Sequence, residues 1–220
     1  YLKRYFGQGV KGEYIFLVDE AHNLVERGSS MYSASLYKED FLKIKKYVAD
    51  YDTRLVKALD RCNKDMLAYK KECTDYKELD SIATFYLHVL NLLGEFERYL
   101  DREVKNEHKD EIMDFYFQVN NFYNMYEKID DSYVIYAKNE GATSFYIKLY
   151  CVHPANNLST CIEKGNSTIF FSATLLPINY YKELLSNNEE DYAIYIPSPF
   201  DKEKRLVTIG RDVSSKYTRQ

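Results

Sequence analysis

Ile15-Phe16-Leu17-Val18-Asp19-Glu20-Ala21-His22 is the stretch on which the fold turns: four apolar residues, then two carboxylates and an imidazole within four positions. An apolar run of this kind reads as a buried strand, the sort from which parallel α/β sheets are built. In open sheets of that class, ligands gather beyond the carboxyl ends of the strands, where loops converge while the strand fixes the side chains. Acids placed directly behind such a strand are therefore a site signal. Asp and Glu also populate solvated surface turns, and it is the strand context that separates the two readings.

A second segment repeats the arrangement. Ser167-Thr168-Ile169-Phe170-Phe171 is a near-continuous apolar strand that ends in Ser172-Ala173-Thr174. Between His22 and Ser172 lie 149 residues (172 − 22 − 1), and most of them have helical periodicity. Phe41, Ile44, Val48, Tyr51, Leu55, Ala58, Cys62, Met66, Tyr69 and Cys73 recur by three and four. So do Ile82, Phe85, Val89, Leu93, Phe96, Leu100 and Val104, and then Ile112, Phe115, Val119, Phe122, Tyr126 and Ile129. The spacing predicts three long amphipathic helices, packed either as an antiparallel coiled-coil-like projecting arm or as an ordinary bundle. After Asp131 the period changes to two, and Tyr133–Tyr136 and Ser144–Tyr150 flank a turn at Asn139-Glu140-Gly141-Ala142, a hairpin signature. A short helix is expected over Asn157–Glu163, another from Pro177 through Leu185, a strand over Tyr192–Ile196 and a rigid linker at Pro197-Ser198-Pro199-Phe200.

Composition bounds the partners. With 30 basic against 34 acidic residues the net charge is −4, so there is no global basic field and any nucleic-acid contact must be local. No run approaches the roughly 18–20 apolar residues that span a bilayer, and Tyr1-Leu2-Lys3-Arg4 has neither an initiator Met nor a signal-peptide apolar region. The expectation is a cytoplasmic protein with no membrane contact, and a fragment of a longer chain. Cys62, Cys73, Cys151 and Cys161 form no CxxC pair and the four His are scattered, so zinc-ribbon and thioredoxin-type sites are excluded and reduced thiols are expected. The 23 Tyr could stack on bases, but many fall at core-facing helix positions, where the ring buries and the hydroxyl reaches water.

Phosphoanhydride hydrolysis needs a divalent cation to neutralise phosphate oxygens and an acceptor that orients and deprotonates water. Asp19 and Glu20 can divide those tasks: Asp19 holding Mg²⁺ through a water, with Glu20 beside it, and Glu20 polarising the nucleophile. His22 can change hydrogen-bond partners with the state of the terminal phosphate. The hydroxyls of Ser172 and Thr174 have no His-Asp pair evident in sequence to make them nucleophiles, and one bland role for them is to cap the helix starting near Pro177. A metal-dependent nuclease on Asp19 and Glu20 is disfavoured because no further carboxylate cluster accompanies them. The phosphate-cradling loop G-x-x-x-x-G-K-[ST] is absent: Gly7 and Gly12 have its glycine spacing, but Glu13 and Tyr14 stand where Lys and Ser or Thr belong.

Four segments together resemble the superfamily 2 DNA helicases of the XPD/DinG type: Val18-Asp19-Glu20-Ala21-His22-Asn23-Leu24 resembles motif II, Phe171-Ser172-Ala173-Thr174-Leu175 resembles motif III, and Cys151-Val152-His153-Pro154 and Ser198-Pro199-Phe200 lie on the path between and beyond. The resemblance brackets nearly the whole chain. It implies an α/β fold with a large all-α insertion: a partial RecA-like parallel-sheet motor lobe (1–30) with a helical Arch domain (31–131). A hairpin and return to the lobe follow (132–197), then a linker and the start of a second lobe (198–220). It implies ATP hydrolysis with Mg²⁺, single-stranded DNA and the remainder of the helicase chain as partners, and a coupling role for Ser172 and Thr174. Lacking the phosphate loop, the chain by itself is expected to be inactive. Relatives often hold an iron–sulfur cluster on four cysteines before motif II. Cys62 and Cys73 lie after it, so they are not carried over as ligands. The competing reading is a helical protein-interaction or regulatory module whose acids do no chemistry.

Overall fold

The structure is a computed structural model that describes residues 12–141 and 144–210. In chain order the elements are β1 (Ile15–Val18), α1 (His22–Met31), β2 (Ala34–Tyr37), α2 (Lys38–Val48), α3 (Thr53–Glu72) and β3 (Tyr76–Glu78). There follow α4 (Ala83–Leu100), α5 (Lys109–Tyr126), β4 (Tyr133–Glu140), β5 (Ser144–Cys151), α6 (Ala155–Ile162), β6 (Ser167–Phe170) and α7 (Ile178–Leu185). The molecule is thus mixed α/β, with two separate sheets. β1 and β6 pair in parallel, Ile15 opposite Ser167 through Val18 opposite Phe170. The other sheet is antiparallel in the order β2-β5-β4-β3.

The larger core lies between the antiparallel sheet and helices α2 to α5. Alternation along the strands sends Leu36, Phe145, Ile147, Leu149 and Ala137 inward, each fully buried. The helices meet them with Phe41, Phe85, Phe96, Phe115 and Phe122, whose rings pack edge to face at 5.1 Å (Phe41–Phe115), 6.0 Å (Phe85–Phe122) and 6.0 Å (Phe96–Phe115). That geometry sets ring edges against ring faces, the favoured arrangement of aromatic quadrupoles. A smaller core of Ala21, Leu158 and Leu185, with Val18, Phe170, Leu175 and Tyr181 packed around it, lies under the parallel pair.

The structure corrects four expectations. The segment expected to be an all-helical insertion, residues 31–131, is not all-helical: β2 and β3 lie inside it, and the hairpin β4–β5 pairs with both and shares one apolar core with the helices. Three-residue and four-residue strands are too short for a period of two to be visible beside helical repeats. The first helical run is broken into α2 and α3, because Asp52 turns to extended backbone and its carboxylate accepts the amides of Arg54 (2.9 Å) and Leu55 (3.0 Å), capping a new helix. Tyr192–Ile196 forms no strand, and Tyr192 is 96% exposed: extended backbone without a neighbouring strand gains no ladder. Finally, β1 is not a buried strand: Phe16 and Val18 are half-buried on one face, and Ile15 and Leu17 on the other are 60% and 68% exposed. Gly7 lies outside the described residues, as do Ala142 of the hairpin turn and 211–220. Gly141 in that turn takes φ +66°, a left-handed conformation that suits glycine. Among the described residues no helix is long and apolar enough to cross a membrane.

Candidate functional site

Parallel pairing of β1 with β6 decides where the chemistry goes. The register places Val18 level with Phe170, so the residues that follow each strand emerge side by side. The ladder runs on past the strands: Phe171 donates its amide to the Val18 carbonyl at 3.0 Å, and Ala21 donates to the Phe171 carbonyl at 3.2 Å. Those two bonds hold the Asp19–His22 turn against Ser172–Thr174. Ala21 is fully buried beneath the turn, where any larger side chain would have to displace Leu158 or Leu185.

Within the turn, Glu20 has φ +50°, left-handed backbone that a non-glycine residue adopts at a cost. Its amide is satisfied locally by Asp19 Oδ1 at 2.7 Å. The Glu20 side chain reaches across to the other strand tip, where Ser172 donates its hydroxyl to Oε2 at 3.0 Å. His22 Nδ1 lies 3.1 Å from the same carboxylate oxygen, 2.9 Å from Ser172 Oγ and 3.2 Å from Thr174 Oγ1. The Thr174 amide donates to Ser172 Oγ at 3.2 Å, and the two hydroxyl oxygens are 3.3 Å apart. A hydroxyl has one proton and two lone pairs. Ser172 gives its proton to Glu20 and accepts from the Thr174 amide, which leaves one lone pair for a proton on His22 Nδ1.

Glu20, His22, Ser172 and Thr174, residues some 150 positions apart, therefore form one hydrogen-bonded cluster. Asp19 stands at its edge and is exposed, as is Glu20; His22 is about a third exposed. Ser172 and Thr174 do not cap the helix that follows: α7 begins after Pro177 with no side-chain cap. The hydroxyls face the acids instead. Mg²⁺ in a nucleotide site asks the protein for only one or two carboxylates, the rest of its octahedron being waters and phosphate oxygens, and Asp19 with Glu20 meets that demand. Among the described residues no group of three or more His, Cys, Asp or Glu gathers to hold a metal. Cys62 is buried in α3, as Cys73 is at its end.

Two features escaped the sequence. Gly28, inside α1, sits where an added Cβ would come within 3.0 Å of Pro154, so it lets α1 approach the start of α6 and packs Pro154 and Leu158 against the site's own helix. Four tyrosines lie in a row across the antiparallel sheet: Tyr136 and Tyr146 stand on the expected hairpin, but Tyr37 and Tyr76, which join them from β2 and β3, had no expected strand. The cleft of about 370 Å³ between Asp52, Arg54, Arg98 and Arg102 lies away from the strand tips, which form an open surface. No family model matches the chain, and no curated protein matches it.

Proposed function

We propose that the chain is part of an ATP-dependent helicase that moves along single-stranded DNA in the cytoplasm, contributing the acidic turn, an inserted unit of helices and antiparallel sheet, and the hydroxyl segment of the motor. One observation carries the reading: Ser172 bridges Glu20 and His22 across two parallel strand tips. Asp19 would hold Mg²⁺, whose part is to neutralise the phosphate oxygens of bound ATP. Glu20 orients a water and takes its proton, for which its exposed carboxylate is placed just beyond the carboxyl end of β1. His22 and Ser172 share that carboxylate. When Glu20 engages water, the Ser172 hydroxyl is released and turns to the Thr174 hydroxyl oxygen beside it, so the bonding state of one strand tip reports on the other. Such a rotor needs no backbone motion to pass on a change.

The test is Glu20→Gln in the intact protein that contains this chain. Mg²⁺-dependent, DNA-stimulated ATP hydrolysis should fall about 10²- to 10⁴-fold, the usual worth of a positioned general base. Ser172→Ala should leave hydrolysis measurable while uncoupling it from movement along DNA. Full hydrolysis in Glu20→Gln would remove Glu20 from its role and leave the helical interaction module as the better description.

A further inference from the structure

Tyr37 on β2, Tyr146 on β5, Tyr136 on β4 and Tyr76 on β3 form a continuous ring series across all four antiparallel strands, with successive centroids 5.1, 6.1 and 5.1 Å apart. All four lie on the face opposite the core. Strand alternation requires it, because Phe145, Ile147, Leu149, Ile135 and Ala137, their neighbours in sequence, pack against the helices. Register fills the gaps between the rings with cations. Lys138 stands directly opposite both Tyr146 and Tyr76, and Lys148 stands opposite Tyr136. Tyr150, next on the same face of β5, has the Lys148 ammonium 5.1 Å from its ring centroid. Of the acids beside these rings, Glu78 on the edge strand β3 stands opposite Tyr136, and Glu140 at the hairpin end and Asp40 in α2 lie near Tyr37.

We infer that this tyrosine-and-lysine face of the sheet is a stacking platform for single-stranded DNA, each exposed ring taking the flat of a base while Lys138 and Lys148 meet the phosphates between them. Tyr76 is 52% exposed, Tyr150 38% and Tyr37 36%, so three of the rings offer a face to solvent. Tyr146, almost buried, lies between Tyr37 and Tyr136, tilted 46° and 63° against their rings. The steps of 5 to 6 Å exceed the roughly 3.4 Å rise of a stacked strand, so a strand lying across the row must splay its bases, which single strands do and duplexes do not. A four-stranded sheet with helices on one face and aromatic side chains on the other is a general solution for binding such strands. Burial, and then the neighbouring Tyr146, pushes the Tyr136 hydroxyl up to about 12, so it remains a neutral donor at physiological pH. The choice of DNA over RNA rests on the function proposed above; the stacking surface does not.

Fluorescence anisotropy of the 220-residue chain with a labelled oligothymidylate tests the platform. Tyr76→Ala and Tyr37→Ala should each weaken binding by about five- to a hundredfold, the usual worth of one stacked base, while Tyr76→Phe binds as the parent does. Lys148→Gln should flatten the dependence of log affinity on log salt by about 0.7. These substitutions are exposed or partly exposed, and circular dichroism should be unchanged. Equal affinity in the folded Tyr37→Ala/Tyr76→Ala variant overturns the inference. So does equal affinity for duplex, or sedimentation showing a dimer that Tyr76→Ala dissociates, since a second copy would then cover the face; a preference for oligouridylate overturns the choice of DNA and keeps the stacking surface. The Glu20→Gln experiment is blind to this surface, so either proposal can fail alone.

Discussion

The two sheets differ in what they bury. In the antiparallel sheet Leu36, Phe145, Ile147 and Leu149 have no solvent exposure at all, whereas in the parallel pair Leu17 and Ile169 keep 68% and 52% of theirs. The antiparallel sheet has four strands and a layer of helices over its inner face; the parallel pair has two strands and a small core on one side. Two strands alone are marginal in water. Stability therefore resides in the antiparallel half, and the clustered polar groups of the candidate site reside in the half that packs least. The exchange of hydrogen-bond partners proposed for the strand tips would gain from that division, because a thinly packed region rearranges at low cost.

The largest expected effect breaks or upholds this division directly. Phe122 is fully buried with its ring 6.0 Å from that of Phe85, and Phe122→Ala should lower unfolding free energy by about 3–5 kcal/mol, the range for deleting a buried aromatic ring. Leu17→Ala, on the exposed face of β1, should stay within about 0.5 kcal/mol. Urea denaturation of the two variants measures the contrast. Comparable losses would mean that Leu17 is covered in solution and that the parallel pair is as well packed as the rest.

The sequence makes the site more legible than the fold around it. Asp19, Glu20 and His22 behind one apolar run and Ser172 and Thr174 behind another are local patterns, and the parallel register brings the two tips together as such patterns demand. The helical stripes were equally plain, because Phe41, Phe85, Val119 and their like repeat every three or four residues over many turns. What stayed hidden depends on non-local pairing. Tyr76–Glu78 is strand only because β4 lies beside it, and Tyr37 and Tyr146 face one another through a register set 100 residues away. The break at Asp52 was readable in principle: an Asp followed by Thr53 is a cap signal, but the apolar stripe continues across it through Leu55 and masks the interruption.

Asp52 belongs wholly to the stable half and should show it through pH. Its side chain is buried, and burial raises the carboxyl's pKa. The amides of Leu55 and Arg54 and the guanidinium groups of Arg98 and Arg102 outweigh that and hold it below the ordinary 3.8. A depressed folded value contributes stability that is complete above the unfolded pKa and is lost as pH falls through the folded one. Asp52→Ala should therefore cost about 0.5–2 kcal/mol at pH 7, most of it from the lost cap, because Arg102 is half exposed and its pairing is screened. Asp52→Asn keeps a capping oxygen, and its stability should decline less than the parent's between pH 5 and about 3. Parallel acid-side profiles for the two would show that Asp52 is not charged-paired in solution.

The smallest effect compares two glutamates of like backbone, one in each half. Glu20 has φ +50° at the strand tip and Glu103 has φ +46° just past the end of α4, where its amide donates to the Leu100 carbonyl at 3.1 Å. Left-handed backbone costs a residue with a Cβ about 1–2 kcal/mol, and glycine recovers it while losing about 0.5–1 kcal/mol to the greater freedom of the unfolded chain. Glu103→Gly should thus stabilise by about 0.5 kcal/mol and raise the melting temperature by about 1–2 °C. Glu20→Gly relieves the same strain but removes the carboxylate that accepts from Ser172 and sits against His22, a loss of about 0.5–1.5 kcal/mol for each hydrogen bond, so it should gain nothing. If thermal melts show both variants gaining equally, the bonds joining the two strand tips contribute nothing in solution, and the bridge on which the functional reading stands is gone.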